Sequence, residues 1–111
     1  MIVRVWRSES TPENAERYVH HATAHVFPAL ARIRGHRGAY LLRRDTDGRV
    51  EFLVLTFWDS MAAVRAFAGD RSDAAVVEPD ARAVLSGFDD FVRHYQLVHD
   101  SVAEARKRPS F

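Results

Sequence analysis

The chain has 111 residues, no cysteine, and 16 lysines and arginines against 15 aspartates and glutamates, which gives a formal net charge of +1. This length predicts one domain with a buried core, and the scattered, balanced charges exclude the basic face of a nucleic-acid-binding protein. The lack of cysteine excludes disulfides, thiolate nucleophiles and cysteine-ligated metals. Because no long apolar run or signal-peptide pattern is present, a cytoplasmic protein without membrane partners is expected.

The first two predicted elements are a strand and a long helix. Residues 2–7, IVRVWR, are β-branched and aromatic and predict the strand. The helix is predicted to follow Thr11, its N-cap, and to end near Arg34, before Gly35. Pro28 is expected to kink the last turn of this helix. Apolar residues recur at helical spacing at Ala15, Val19, Ala22, Val26, Leu30 and Ile33.

A hairpin is predicted next. Residues 38–45 and 50–58 have the composition of strands, and the sequence TDG between them is typical of a tight turn. The second of these runs is apolar almost continuously from Phe52 to Trp58. Such a run predicts a strand that is covered on both faces.

The last third of the chain predicts a short helix, an irregular segment and a final strand. Asp59 or Ser60 caps the helix MAAVRAFAG, which ends at Gly69. An irregular or partly helical connection, interrupted by Pro79, leads to a strand at about residues 91–99. The order β-α-β-β-α-β predicts a ferredoxin-like α+β fold, in which both helices lie on one face of a four-stranded antiparallel sheet.

The second face of this sheet would expose apolar side chains such as Leu53, Leu55 and Phe57. A soluble monomer rarely exposes so large an apolar surface. The sequence therefore predicts a homodimer, in which the sheets of two copies face each other as a dimeric α+β barrel.

Residues 1–99 resemble the antibiotic biosynthesis monooxygenase family. The resemblance rests on GAYLLRRD-TDGRVEFLVLTFWDSMAAVRAFAG, on AVVEPD and on RHYQLV, and TFWDSMAAVRAF is its most specific part. It implies the dimeric barrel and a pocket between each helical layer and its sheet. The tail at residues 100–111 lies outside it, and the basic cluster in EARKRPSF is expected to be frayed and solvated.

The family resemblance implies no single reaction, because its members include cofactor-independent oxygenases of polycyclic phenols, heme-degrading oxygenases and proteins without an established activity. The heme-degrading branch has an Asn on the first strand, a Trp on the second helix and a heme-ligating His farther along. With FWDS as the anchor, the Trp position falls on Phe67 and the His position on Val77, and the first strand has no Asn. The resemblance therefore disfavours heme degradation by that route.

Histidines are the candidate catalytic groups. His20, His21 and His25 are close in sequence but do not converge on a helical wheel, so no metal is assigned to them. His25, at the edge of the apolar stripe, is the first candidate base, since a neutral imidazole can take a proton from a phenol near pH 7. His94 on the last strand is the second. The alternatives are a boundary histidine bonded to water and a satisfied strand histidine, respectively; His20 is expected to face solvent.

Substrate-binding candidates are mainly aromatic. Trp6, Tyr40, Trp58 and Phe67 are predicted to wall a cavity for an aromatic substrate, although each of them also suits an ordinary core position. Arg43 is a candidate for holding a phenolate oxygen, with a solvated strand end as the alternative. His21 is placed in the same substrate-binding set.

These observations predict a small homodimeric monooxygenase that uses no cofactor and acts on an aromatic or polyketide-type molecule. Deprotonation of an electron-rich phenol in a dry pocket would suffice for such a reaction. The alternatives are a non-oxidative member of the same fold that binds or cyclises a metabolite, and a heme-binding protein.

Overall fold

In the computed structural model, which describes residues 1–107, antiparallel strands form one sheet in the order β2-β3-β1, and two short strands share the outer edge of β1. This order is that of the predicted ferredoxin-like α+β fold. The strands are β1 Ile2–Ser10, β2 His36–Thr46, β3 Arg49–Trp58, β4 Gly87–Phe88 and β5 Arg93–Gln96.

The predicted final strand at residues 91–99 is wrong in extent. Strands β4 and β5 both pair with β1, but the chain between them leaves this edge. There, the Val92 N–H donates to the carbonyl of Asp73 at 2.8 Å, and the Ala75 N–H donates to the carbonyl of Asp90 at 2.9 Å. The backbone groups that would extend the strand are therefore used to hold the loop that precedes α4.

The helices pack mainly on one face of the sheet. The first predicted helix is interrupted: a π-helical segment at Ala22–Val26 separates α1 from α2 and precedes Pro28. Proline lacks an N–H and crowds the preceding turn, which accounts for a wider turn there instead of a simple kink. The helices are α1 Pro12–His21, α2 Phe27–Leu30, α3 Met61–Ala68, α4 Pro79–Val84 and α5 Ser101–Lys107.

Local signals placed most helix ends and turns correctly. The Ser60 hydroxyl caps α3 by accepting from the Ala63 N–H at 3.2 Å, whereas Thr11 occupies the N-cap of α1 without a side-chain hydrogen bond. The TDG turn is present, with Asp47 and Gly48 both at positive φ, as a tight hairpin requires.

Gly35 is required by close packing as well as by conformation. It has φ +88°, and a Cβ there would lie 2.6 Å from the Cβ of Ala63. Its carbonyl also accepts from the Asp59 N–H at 2.8 Å. The start of β2 therefore lies directly against α3, which carries Phe67 into the layer between helices and sheet.

The predicted frayed tail is partly helical. Helix α5 begins at Ser101, and the Ala103 N–H donates to the Asp100 carboxylate at 2.9 Å. The remainder of that predicted tail, residues 108–111, lies outside the described residues. Within the described part of the chain, no helix is long and apolar enough to cross a membrane.

Strand β3 divides its side chains between two different environments. Phe52 and Trp58 are fully buried under the helices, while Leu53, Leu55 and Phe57 on the other face are only partly buried. The sequence predicted that both faces of this strand are covered. In a single subunit the helices cover one face and leave the other open.

Candidate functional site

A cavity of about 240 Å³ lies between the sheet and the helical segment from α1 to α2. Residues from two clusters of the core line it, one cluster around Phe52 and the other around Trp58. Most of its lining is apolar, including Val26, Leu30 and Val77. A concave, largely apolar space with a few polar groups is the usual form of a small-molecule site, and this one is slightly smaller than the usual range of about 300–1,000 Å³.

Phe67 from α3, one of the candidate substrate-binding residues, lines the cavity. Its ring stacks on that of Trp58, with centroids 5.2 Å apart and an interplanar angle of 25°. The guanidinium carbon of Arg4 lies 5.7 Å from the same Phe67 centroid. Trp58 itself is fully buried and donates its indole N–H to the Thr56 hydroxyl at 2.9 Å. It therefore supports the wall from behind, whereas the sequence placed it in contact with substrate.

Trp6 from β1, another of the candidate substrate-binding residues, also lines the cavity. Its indole N–H donates to the Asp89 carbonyl at 2.7 Å, and its ring lies 5.9 Å from that of Phe88. These contacts hold the ring in place before any ligand arrives.

His21 is the histidine that lines the cavity. It is 7% exposed, and its Nε2 is buried without a hydrogen-bond partner. The nearest charged group is the Glu78 carboxylate, whose Oε2 lies 3.7 Å from that nitrogen, beyond hydrogen-bonding distance. A buried polar atom without a partner costs stability and is often explained by function. Among the described residues, His21 therefore supplies the imidazole in the lining of this cavity.

Tyr18 lies one turn before His21 and is also buried in the lining. Burial raises the pKa of its hydroxyl, because the phenolate would be poorly solvated there, and the neighbouring Ser8 hydroxyl opposes that rise. The Tyr18 ring packs on Phe52 with centroids 4.7 Å apart. The hydroxyl of Tyr18 thus stays protonated near neutral pH and can donate a hydrogen bond.

The expected position of His25 at the mouth of the pocket is wrong. His25 is exposed and does not line the cavity. In a regular helix, four residues exceed one turn, which would bring His25 past His21 towards the buried face. In the π-helical segment, four residues fall short of one turn, so His25 is rotated back towards solvent.

The three helix histidines are close together but do not form a ligand set. The His25 ring centroid lies 5.7 Å from that of His20 and 6.0 Å from that of His21. Over residues 1–107, no group of three or more His, Cys, Asp or Glu side chains is arranged to hold a metal ion.

His94, the second candidate base, is bound to Arg4 and does not line the cavity. An Arg4 N–H lies 3.0 Å from its Nε2, which therefore accepts. The same guanidinium donates to the carbonyls of Ser72 at 2.6 Å and Ala74 at 2.8 Å, and so fixes the loop before α4. Burial lowers the pKa of His94, and the charge of Arg4 lowers it further, against an opposing effect of Asp73.

This pairing predicts that stability falls with decreasing pH. The folded-state pKa of His94 is below its ordinary value of 6.5, so the unfolded chain binds more protons in the window between the two. The contribution of neutral His94 is thus full above about pH 6.5 and is lost as pH falls towards the folded-state pKa. His94→Gln, which keeps an acceptor for Arg4, should flatten the dependence of unfolding free energy on pH between 7 and 5.

Urea unfolding at several pH values measures this effect, and His20→Gln is the matched control because His20 is exposed. Equal slopes for the parent and the His94→Gln variant would contradict the assignment.

Two other predicted substrate-binding residues lie elsewhere. Arg43 is paired with Asp45 at 2.8 Å and with Glu16 at 2.6 Å, and these carboxylates raise its pKa. Tyr40 is on the open face, packs against Phe57, and lines a separate cavity of about 620 Å³ beside α5. The structure therefore brings Trp6, Phe67 and His21 together and leaves Arg43 and Tyr40 outside.

Sequence reasoning missed three polar residues of the cavity: Tyr18, Thr56 and Glu78. Tyr18 could have been found, because its spacing to Ala15 and Ala22 places it on the apolar stripe. Glu78 precedes a proline, which is an ordinary helix start. Its proximity to His21 depends on tertiary packing between α1 and α4 and leaves no local signal.

Comparison with known families gives one match. Residues 1–78 match the family model described as antibiotic biosynthesis monooxygenase. A search of curated proteins found no match.

Several solved structures are similar over nearly the whole chain. The heme-degrader MhuD from Mycobacterium tuberculosis, solved with two hemes bound in its active site, is 23% identical, with 90% of this chain and 98% of that chain covered and a TM-score of 0.58. Structures named as antibiotic biosynthesis monooxygenases are similar too. The one from Deinococcus radiodurans has 13% identity, 90% and 95% coverage and a TM-score of 0.62. The one from Bacillus cereus has 14% identity, 89% and 94% coverage and a TM-score of 0.63. At these identities the likeness establishes the fold.

Proposed function

The chain belongs to the antibiotic biosynthesis monooxygenase family, and we propose that it is a homodimeric, cofactor-independent monooxygenase that oxidises an aromatic molecule in the cavity under α1. The observation that carries this proposal is His21, a buried imidazole without a hydrogen-bond partner in a largely apolar cavity. Imidazole is the side chain that most readily exchanges protons near neutral pH.

The proposed reaction needs only a base, a dry cavity and dioxygen. His21 accepts a proton from an electron-rich phenol or anthrone, and the resulting carbanion supplies the electrons that reduce dioxygen. One oxygen atom enters the product as a carbonyl group and the other leaves as water, so an anthrone becomes a quinone. The Tyr18 hydroxyl, held protonated by burial, can donate to the oxygen that gains negative charge.

His21 replaces His25 and His94 as the proposed base, because neither of those two lines the cavity. Trp6 and Phe67 provide flat apolar walls for a ring system. A non-oxidative relative that binds or cyclises a metabolite would use the same walls, and oxygen uptake separates the two reactions.

A panel of anthrones under oxygen tests this function. We expect quinone formation above the uncatalysed rate with matching oxygen uptake. No rate above background for any member of the panel, or turnover without oxygen uptake, would contradict the monooxygenase assignment.

Heme is implied by one branch of this fold, and this cavity offers it one candidate ligand, the unpartnered Nε2 of His21, but not the rest of that branch's site. Phe67 and Val77, at the positions that the resemblance gives to a Trp and a heme-ligating His, both line the cavity, and neither can ligate iron. No Arg or Lys of the described chain lines it, so the two heme propionates would have no cationic partner there. We therefore derive no step through heme.

The homodimer rests on the open face of the sheet. Val5, Leu55 and Tyr40 lie side by side across β1, β3 and β2 on that face. Tyr40 is 45% exposed and Leu42 is 46% exposed, which is unusual for large apolar side chains in a lone subunit. A second copy of the same face would cover them, and its twofold symmetry would make the patch self-complementary.

Leu55→Lys should dissociate the proposed dimer. It places a charge at the centre of the open face without touching the core under the helices, and burying an unpaired charge costs several kcal/mol. Sedimentation equilibrium at micromolar concentration should give the parent a mass near twice 12.7 kDa and the variant a mass near 12.7 kDa.

Glu13→Gln is the control for this measurement, since it adds the same unit of charge at an exposed position on α1. A monomeric parent would overturn the dimer, and a dimeric Leu55→Lys variant would overturn the open face as its interface.

A further inference from the structure

Over the described residues, the side chains that line the cavity include a negative charge but no Arg or Lys. Glu78 is the one acidic side chain in its lining, and within residues 1–107 no Arg or Lys lines it. A ligand that enters therefore meets a carboxylate, an imidazole and neutral hydroxyls, but no cation.

Two guanidinium groups, those of Arg4 and Arg82, contact residues that line the cavity, and both have other partners. The Arg4 guanidinium packs against Phe67 in the cavity wall, and its N–H groups donate hydrogen bonds to the carbonyls of Ser72 and Ala74. Arg82 lies over the ring of Phe88 at 5.0 Å. Neither group is placed to neutralise an anion inside the cavity.

Glu78 lies beside His21 at the start of α4. It occupies the N-cap of that helix and makes no side-chain capping hydrogen bond. Its Oε2 lies 3.7 Å from the buried Nε2 of His21, and its side chain is 55% exposed. The carboxylate therefore lies where the cavity meets solvent, beside the proposed base.

We propose that Glu78 is a specificity-determining residue, which makes the cavity take uncharged aromatic compounds that carry a hydroxyl group and reject their carboxylated analogues. A phenolic O–H can donate to the Glu78 carboxylate or to His21. A carboxylate in the same position would lose its hydration without gaining a cation, and would lie beside a second negative charge. This inference deepens the proposed function by naming the substrate class, and it rests on that function only in taking this cavity as the ligand site.

Calorimetric titration with naphthol and naphthoate tests the proposal, because the two probes share one ring system and differ in the group attached. The parent should bind naphthol at least about tenfold more tightly than naphthoate, a difference that calorimetry resolves easily. Glu78→Gln keeps an acceptor but removes the charge. It should tighten naphthoate binding about three- to tenfold and change naphthol binding less than about threefold.

Asp80→Asn is the matched control, since it removes the same charge from an exposed position two residues away that does not line the cavity. It should leave the preference unchanged.

The proposal is overturned if the parent binds naphthoate as tightly as naphthol or binds neither, if Glu78→Gln leaves the preference intact, or if Asp80→Asn relaxes it equally. The selectivity can hold while no anthrone is oxidised, in which case the monooxygenase assignment fails and the ligand class stands. If anthrones are oxidised but the selectivity is absent, the monooxygenase assignment stands and the proposed role of Glu78 fails.

Discussion

Replacing His21 with Ala should lower anthrone turnover about 10²- to 10⁴-fold, the usual effect of removing a positioned general base. The loss should fall mainly on kcat, because the apolar walls that bind the ring remain in place. Stability should fall less than for a ring packed on all sides, because the His21 ring borders the cavity and its Nε2 has no hydrogen bond to lose. Steady-state kinetics and thermal unfolding of the same preparation check both expectations.

Variants of the neighbouring histidines make this prediction specific. His20→Ala and His25→Ala both alter exposed residues, which usually changes stability by less than about 0.5 kcal/mol, and neither should affect turnover. If His25→Ala abolishes activity while His21→Ala retains it, then the π-helical segment does not turn His25 towards solvent, and His21 is not the base.

Trp58→Ala should have the largest effect on stability, about 3–5 kcal/mol, because it removes a large, fully buried ring. It also removes the surface on which Phe67 stacks and leaves the Thr56 hydroxyl without its indole donor. Trp58→Phe keeps most of the packing and should cost markedly less. Urea unfolding provides both values.

A cost for Trp58→Ala within about 0.5 kcal/mol, the range of surface substitutions, would contradict the placement of Trp58 at the centre of the second core cluster.

Elements with strong local signals were predictable from the sequence. The hairpin was identified because Asp47 and Gly48 supply the turn, and α3 because Ser60 caps it and Gly69 ends it. The final strand was predicted to begin too early, because hydrogen bonds with the Asp73–Ala75 loop draw residues 90–92 away from β1. Composition cannot reveal such competition between a strand edge and a distant loop.

The candidate site was only partly predictable, for a related reason. Trp6 and Phe67 were identified because aromatic residues on a strand and a helix commonly face the same layer. The position expected for His25 was wrong because a helical wheel assumes a uniform turn, and the π-helical segment departs from that turn. Glu78 approaches His21 from a loop 57 positions later in the chain, 78 − 21 = 57, so only the folded structure brings them together.

The central claim is that an aromatic molecule occupies the cavity under α1 beside His21. A crystal structure of the protein grown with an anthrone under anaerobic conditions tests this most directly, because the ligand is then bound but not oxidised. We predict ring density between Trp6 and Phe67, with the ligand oxygen within hydrogen-bonding distance of His21 or Tyr18. Ligand density on the open face or beside α5, with the cavity under α1 free of ligand, would contradict the account.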